Sequence, residues 1–272
     1  MFENGLTLVT EHHPEFQSLS IGVWVKVGTR HERRREAGVS HFLEHMLFKG
    51  TERRSALDIA LEVDRVGGDF NAFTARETTC FHILSLGRDA GLAADILADV
   101  VLNSNFESEE FERERKVIQQ EISMVEENPE ELVHDVYFEL IYGRHGLGRP
   151  ILGSDSSIRR MRRADLLRFF RRHYRPDQIV ISAAGNVTHE QLKRKLKPLV
   201  HGKGRQRWPG RPDHREARKE SGFEPAPTLK QGKWWMVRPT EQVHLVWGVP
   251  GPTYSSRDRY AAYLLNTHLA AG

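Results

Sequence analysis

Apolar and polar positions along the chain follow two periods. Thr78-Thr-Cys-Phe-His-Ile-Leu-Ser-Leu86 alternates in the manner of a strand with one buried face. By the same criterion, strands are expected near residues 5–11, 18–27, 69–73, 78–86, 178–185 and 243–248. Segments with helical spacing of apolar residues predict helices near 39–48, 55–66, 88–103, 109–127, 129–142, 163–173 and 189–199. Two of these have strong start signals. Asn128 precedes Pro129 at the first helical position with Glu131 third, and Thr188 precedes Gln191 at capping-box spacing. Strands and helices intersperse without a regular βαβ rhythm, which predicts an α+β fold rather than a doubly wound sheet.

Candidate chemistry concentrates in His41-Phe-Leu-Glu44-His45. On a helix, residues four apart share a face, so both imidazoles can reach one metal ion, with Glu44 beside it. The order H-x-x-E-H inverts the H-E-x-x-H zinc-protease signature. Catalytic zinc takes three protein ligands and leaves one position open, so a third ligand is required. The acidic helix 109–127 supplies candidates: Phe111, Val117 and Ile122 give it an apolar edge, and Glu114 and Glu121 lie seven apart on nearly one face. Pattern alone does not choose among Glu114, Glu121 and Glu126.

Composition narrows the function classes. The 272 residues suffice for more than one domain and a substantial core. No run of 18 apolar residues is present, so no membrane span is expected, and the N-terminus carries no basic-then-apolar secretory pattern. The single cysteine, Cys80, excludes an internal disulfide and, in an apolar strand, reads as a packing residue; a cytoplasmic location of bacterial type is expected. Net charge is +3, yet arginines cluster in 30–35 and 159–175. A basic helix carrying Phe169, Phe170 and Tyr174 could suggest nucleic acid or a membrane surface. The aromatic spacing instead predicts a buried side of an amphipathic helix with a basic solvated face, so neither partner is expected. Trp208, Trp234 and Trp235 carry no assignment.

Gly38-Val-Ser-His-Phe-Leu-Glu-His-Met-Leu-Phe-Lys-Gly-Thr51 resembles the active-site segment of the pitrilysin family, which includes mitochondrial processing peptidases and insulin-degrading enzymes. The resemblance continues through 67–74, 115–122, 128–132 and 146–153 and runs essentially end to end. It implies a mostly antiparallel sheet with helices packed on one side. It further implies one Zn2+ held by His41, His45 and Glu121, Glu44 as general base for a zinc-activated water, and Glu114 supporting the site. The activity implied is zinc-dependent endopeptidase action on peptides or unfolded segments, with a non-catalytic or partner-dependent subunit as the alternative. By residue pattern, Gly67-Gly68 and Asn71 read as an ordinary hairpin turn. In the family, the segment matching Asn71 and Ala72 lies on an exposed sheet edge where the substrate peptide adds as a strand.

Domain organisation follows from composition and an internal likeness. Residues 1–200 are expected to form the zinc-binding catalytic domain. Gly, Pro, Arg and Lys dominate 201–232, which reads as a linker. Gln242–Val249 resembles Ser18–Val25, and Tyr263–Gly272 can be laid on His41–Gly50, with Tyr263, Asn266 and Thr267 at the positions of His41, Glu44 and His45. Residues 233–272 are therefore expected to be the start of a duplicated, metal-free second domain. The chain is expected to need the rest of that domain, or a partner chain, to close a chamber around substrate. A homodimer is one such arrangement.

Overall fold

A computed structural model describes residues 1–201, 227–239 and 241–270. Five strands form one sheet: β1 (Thr7–His12), β2 (Ser18–Val25), β3 (Asp69–Thr74), β4 (Thr79–Leu86) and β5 (Ile179–Gly185), in the order β1-β5-β2-β4-β3. Three pairings are antiparallel, and only β1 with β5 is parallel. The fold is thus α+β with a mostly antiparallel sheet. Alternation decides which face is covered. Leu19, Ile21, Val23 and Val25 of β2 are buried, whereas Ser18, Ser20 and Trp24 face outward. On that outer face, Trp24 meets Phe73 edge-on and donates its indole N–H to Ser182 Oγ at 2.9 Å.

Helices cover the inner face. They are α1 (Val39–Leu47), α2 (Ala56–Asp64), α3 (Ala90–Asn103), α4 (Ser108–Glu127), α5 (Pro129–Tyr142), α6 (Asp155–Arg160), α7 (Arg163–His173) and α8 (His189–His201). α3 packs on β2 and β4, α1 and α2 on β3, and α8 on β1 and α3. The expected caps are present. Asn128 Oδ1 accepts from Glu130 N, and Thr188 Oγ1 and N exchange hydrogen bonds with Gln191. Phe169, Phe170 and Tyr174 are buried, so the arginine-rich segment is an amphipathic helix turned inward by its aromatics. The short α6, capped by Ser154 on Ser157 N, had no signal in the pattern because six residues make less than two turns.

The strand expected at 243–248 does not form. Val243, Leu245, Trp247 and Val249 project exposed side chains from an irregular segment. Alternating apolarity supplies a strand's pattern, but a strand also needs a neighbour for its N–H and C=O groups, and none is present among the described residues. Residues 202–226, most of the expected linker, lie outside the described residues, as does Trp208. Beyond them, Lys230 N bonds Ile141 O at 2.9 Å and Arg238 Nη1 bonds Glu126 O at 2.6 Å. Trp234 and Trp235 are exposed rather than packed. A helix α9 (Arg259–Ala270) then presents Tyr263, Leu264, Leu265 and Leu269 to solvent.

A buried ion network fixes the turn that follows α1. Asp99, fully buried, accepts from Thr51 Oγ1 at 2.8 Å, Arg53 Nε at 3.1 Å, Arg54 Nη1 at 2.8 Å and Asn103 Nδ2 at 2.8 Å. Arg54 also bonds Glu62 and Asp95, so residues 51–54 are tied to α2 and α3 together. Removing Asp99 takes the shared acceptor from Thr51, Arg53, Arg54 and Asn103 at once, in a buried site that leaves Arg54 with Glu62 and Asp95 alone. Asp99→Ala is expected to cost about 3–5 kcal/mol of unfolding free energy, measured by urea denaturation. A loss below about 1 kcal/mol would show that the network does not anchor this turn.

Candidate active site

α1 presents its polar residues because its apolar ones are committed elsewhere. Val39, Phe42, Leu43, Met46 and Leu47 are buried, and their spacing leaves His41, Glu44 and His45 together on the half-buried side. Phe42 stacks on Phe111 of α4, with centroids 4.5 Å apart and planes 2° from parallel. The start of α1 is equally constrained. Gly38 adopts φ 88°, and a Cβ there would meet Leu152 O at 2.6 Å, so glycine is required. Glu32, buried, accepts from Gly38 N and Ser40 N, each at 2.9 Å, which satisfies two backbone donors at the head of the helix. Arg149 holds the Glu32 carbonyl.

α4 brings the carboxylates. Phe111, Glu114, Ile118 and Ile122 form its buried edge. Ile118, rather than the expected Val117, continues the three- and four-residue spacing, and Val117 lies a quarter-turn away, exposed, in line with Glu121. Glu114 enters the core and accepts from His45 Nδ1 at 2.9 Å, while its other oxygen lies 2.8 Å from Lys49 Nζ. Glu121 Oε2 lies 3.8 Å from His41 Nε2 and 3.6 Å from His45 Nε2. Ligand atoms of His41, His45 and Glu121 all fall within 4.8 Å of one another. Glu126 is exposed and away from the histidines, and its carbonyl accepts from Arg238.

The donor set fits zinc. Two imidazole nitrogens and one carboxylate oxygen are the ligand types of three-ligand zinc sites, and tetrahedral ligands at about 2.0–2.2 Å stand about 3.3–3.6 Å apart, close to the 3.8 and 3.6 Å between Glu121 Oε2 and the two Nε2 atoms. Burial, followed by the neighbouring His45, pushes His41 down to about 3, so its ring is neutral and offers a lone pair at ordinary pH. The Glu114 carboxylate at His45 Nδ1 orients the ring so that Nε2 faces Glu121. His41 Nδ1 is buried without a hydrogen-bond partner among the described residues. Glu44 accepts from Thr74 Oγ1 at 2.5 Å. Its carboxyl is raised above the ordinary range by burial, against the opposing effect of Thr74.

β3 is one of the two edge strands and, among the described residues, pairs only with β4. Phe70, Ala72 and Thr74 face the helices and Asp69, Asn71 and Phe73 face outward. Asn71 Oδ1 accepts from Ala72 N at 2.8 Å, so this edge N–H is held by its own neighbour's side chain. Three participants escaped sequence reasoning: Lys49, Glu32 and Thr74. Lys49 follows His45 by four residues, a helical spacing that could have found it. Glu32 and Thr74 reach α1 from other elements and leave no periodic signal.

Comparison with known proteins assigns the family. Residues 7–155 match the family model of insulinase, peptidase family M16, and residues 160–272 match that of the M16 inactive domain. The chain belongs to peptidase family M16. An uncharacterized zinc protease of Mycobacterium leprae is 41% identical over 98% of the chain, which covers 59% of that protein; one of Bacillus subtilis is 37% identical over 98%, covering 62%. The chain thus spans about three-fifths of the length of the curated relatives it matches. A protease from Helicobacter pylori superposes with TM-score 0.70 at 24% identity, over 79% of this chain and 50% of that one. An M16 inactive domain from Pseudomonas fluorescens gives 0.66 at 18%, over 72% and 48%. The second family match begins before α7, β5 and α8, although β5 sits between β1 and β2. No helix among the described residues of this M16 chain is long and apolar enough to cross a membrane.

Glu32 gives the head of α1 a pH signature. Burial raises its carboxyl to about 7, against the N–H groups of Ser40 and Gly38, which lower it. Between the ordinary value of 4.5 and about 7, the folded chain holds a proton there that the unfolded chain has lost. Stability contributed by this group therefore falls as pH rises through that window. Glu32→Gln is expected to flatten the urea-midpoint profile between pH 5 and 8. An unchanged slope would contradict the assignment.

Proposed function

We propose that this chain carries the catalytic centre of a zinc metalloendopeptidase that hydrolyses peptides or unfolded segments. The observation that carries this reading is the convergence of His41, His45 and Glu121, with Glu44 between the two histidines. His41 Nε2, His45 Nε2 and Glu121 Oε2 would hold one zinc ion. Bound there, zinc supplies Lewis acidity at the scissile carbonyl and at the attacking water. Glu44 accepts the proton of that water on its carboxylate and delivers it to the departing amine. Oε1 is the oxygen free for this, since Oε2 is engaged by Thr74. Glu114 keeps the His45 proton on Nδ1 and so keeps Nε2 available as a ligand.

The peptide adds along the free edge of β3, where main-chain hydrogen bonds bind varied sequences. Asn71 and Ala72 are the contacts, and the Asn71 side chain yields the Ala72 N–H to the incoming strand. The exposed apolar side chains of 243–249 and α9 support a requirement for further domain surface, or a partner chain, to complete the chamber.

Metal analysis combined with cleavage of a quenched peptide, with and without chelator, tests this reading. Glu44→Gln is expected to retain one zinc while hydrolysis falls about 10²–10⁴-fold; full activity in that variant would refute the role. His41→Ala and His45→Ala are expected to lose the metal, and Glu114→Ala to weaken it about 10–100-fold. Zinc bound tightly by wild type with no cleavage at any partner concentration would favour a non-catalytic subunit.

A further inference from the structure

Glu44 is held from the sheet as well as from its own helix. Its carboxylate has one protein donor among the described residues, Thr74 Oγ1 at 2.5 Å, from the last residue of β3. The strand pair that carries Thr74 is locked on both sides. Thr74 stands opposite Thr79, whose own hydroxyl is spent on Val27 O at 2.9 Å. The connecting turn closes through Ala75 N to Thr78 O at 2.7 Å, and Arg30 N bonds Arg76 O at 2.8 Å. Gly28 comes so close that a Cβ there would lie 2.1 Å from Ala75 O. On the other side, the Arg76 guanidinium lies 3.7 Å from the Phe138 ring centroid and donates Nε to Leu147 O at 3.0 Å. The Thr74 hydroxyl therefore has little freedom of its own, and it transmits the position of β3 to Glu44.

We propose that Thr74 is a positioning residue that fixes the Glu44 carboxylate plane, with Oε2 anchored to the hydroxyl and Oε1 left toward the attacking water. This rests on the peptidase reading above and deepens it. The same strand offers Asn71 and Ala72 at the free edge, and Ala72 and Thr74 point to the same face two residues apart. Peptide and base are thus registered to one rigid element rather than to two independent ones. Without the hydroxyl, rotation about the Glu44 side-chain bonds sweeps the carboxylate through orientations that misdirect Oε1, and misplacement of about 1 Å can cost about 10²-fold in rate.

The test compares Thr74→Val, which keeps the branched shape, with Thr74→Ser, which keeps the hydroxyl. In crystals of the zinc-loaded variants, Thr74→Val is expected to show the Glu44 carboxylate rotated or split while His41, His45 and Glu121 stay in place. Thr74→Ser is expected to leave Glu44 in one orientation. A single unmoved Glu44 carboxylate in Thr74→Val would overturn the proposal. In kinetics, Thr74→Val is expected to lower kcat about 10–100-fold with KM and zinc content unchanged, and Thr74→Ser to restore kcat to within about threefold. Wild-type kcat in Thr74→Val would sink the positioning role while leaving the peptidase reading intact. Absence of cleavage by zinc-loaded wild type, supplied with partner chain at any concentration, would sink the peptidase reading instead, and the crystallographic comparison would then decide Thr74 alone.

Discussion

The packing of α1 between the sheet and α4 is the constraint on which the site depends. Five apolar side chains of α1 are consumed by the core, and the Phe42–Phe111 stack locks the helix against α4. Burying an aromatic side chain of that size contributes about 1.5–3 kcal/mol, and the packing specifies rotation as well as depth. Once that rotation is set, His41, Glu44 and His45 have one direction left to face. The same contact sets the register of α4, so Glu114 arrives within the core and Glu121 one heptad later at its margin.

Electrostatics explains why this arrangement calls for a cation. Three carboxylates, Glu44, Glu114 and Glu121, share a half-buried space, and buried charge is costly unless paired or hydrogen-bonded. Glu114 is matched by Lys49 and by the His45 N–H, and Glu44 by the Thr74 hydroxyl. Glu121 Oε2 lies within 4 Å of the two imidazole Nε2 atoms, one of them on a ring that burial keeps neutral. A divalent ion would balance that remaining charge and take both imidazole nitrogens as ligands at once.

Much of this was legible in the chain because it is local. Helix 39–48 follows from apolar spacing, the caps at Asn128 and Thr188 from short-range hydrogen bonding, and the histidine pair from the four-residue repeat. The carboxylate partner was not legible from pattern: Glu114, Glu121 and Glu126 are equivalent until α4 docks, and only likeness to a family favoured Glu121. Val117 was misassigned to the buried edge because one residue of rotation separates it from Ile118. Thr74 and Glu32 reach α1 from a distant strand and loop, so no periodicity announces them. The segment 243–248 has the right alternation for a strand but no neighbouring strand among the described residues.

The chain spans about three-fifths of the M16 relatives it matches, and its exposed apolar side chains after residue 240 are consistent with surface that another unit covers. The proposed metal centre, in contrast, draws its ligands from α1 and α4 alone. Anomalous diffraction at the zinc edge, from crystals grown with stoichiometric zinc, addresses it most directly. One peak is expected about 2.0–2.2 Å from His41 Nε2, His45 Nε2 and a Glu121 oxygen. A peak elsewhere, or no peak with the Glu121 side chain turned away from the histidines, would contradict the account.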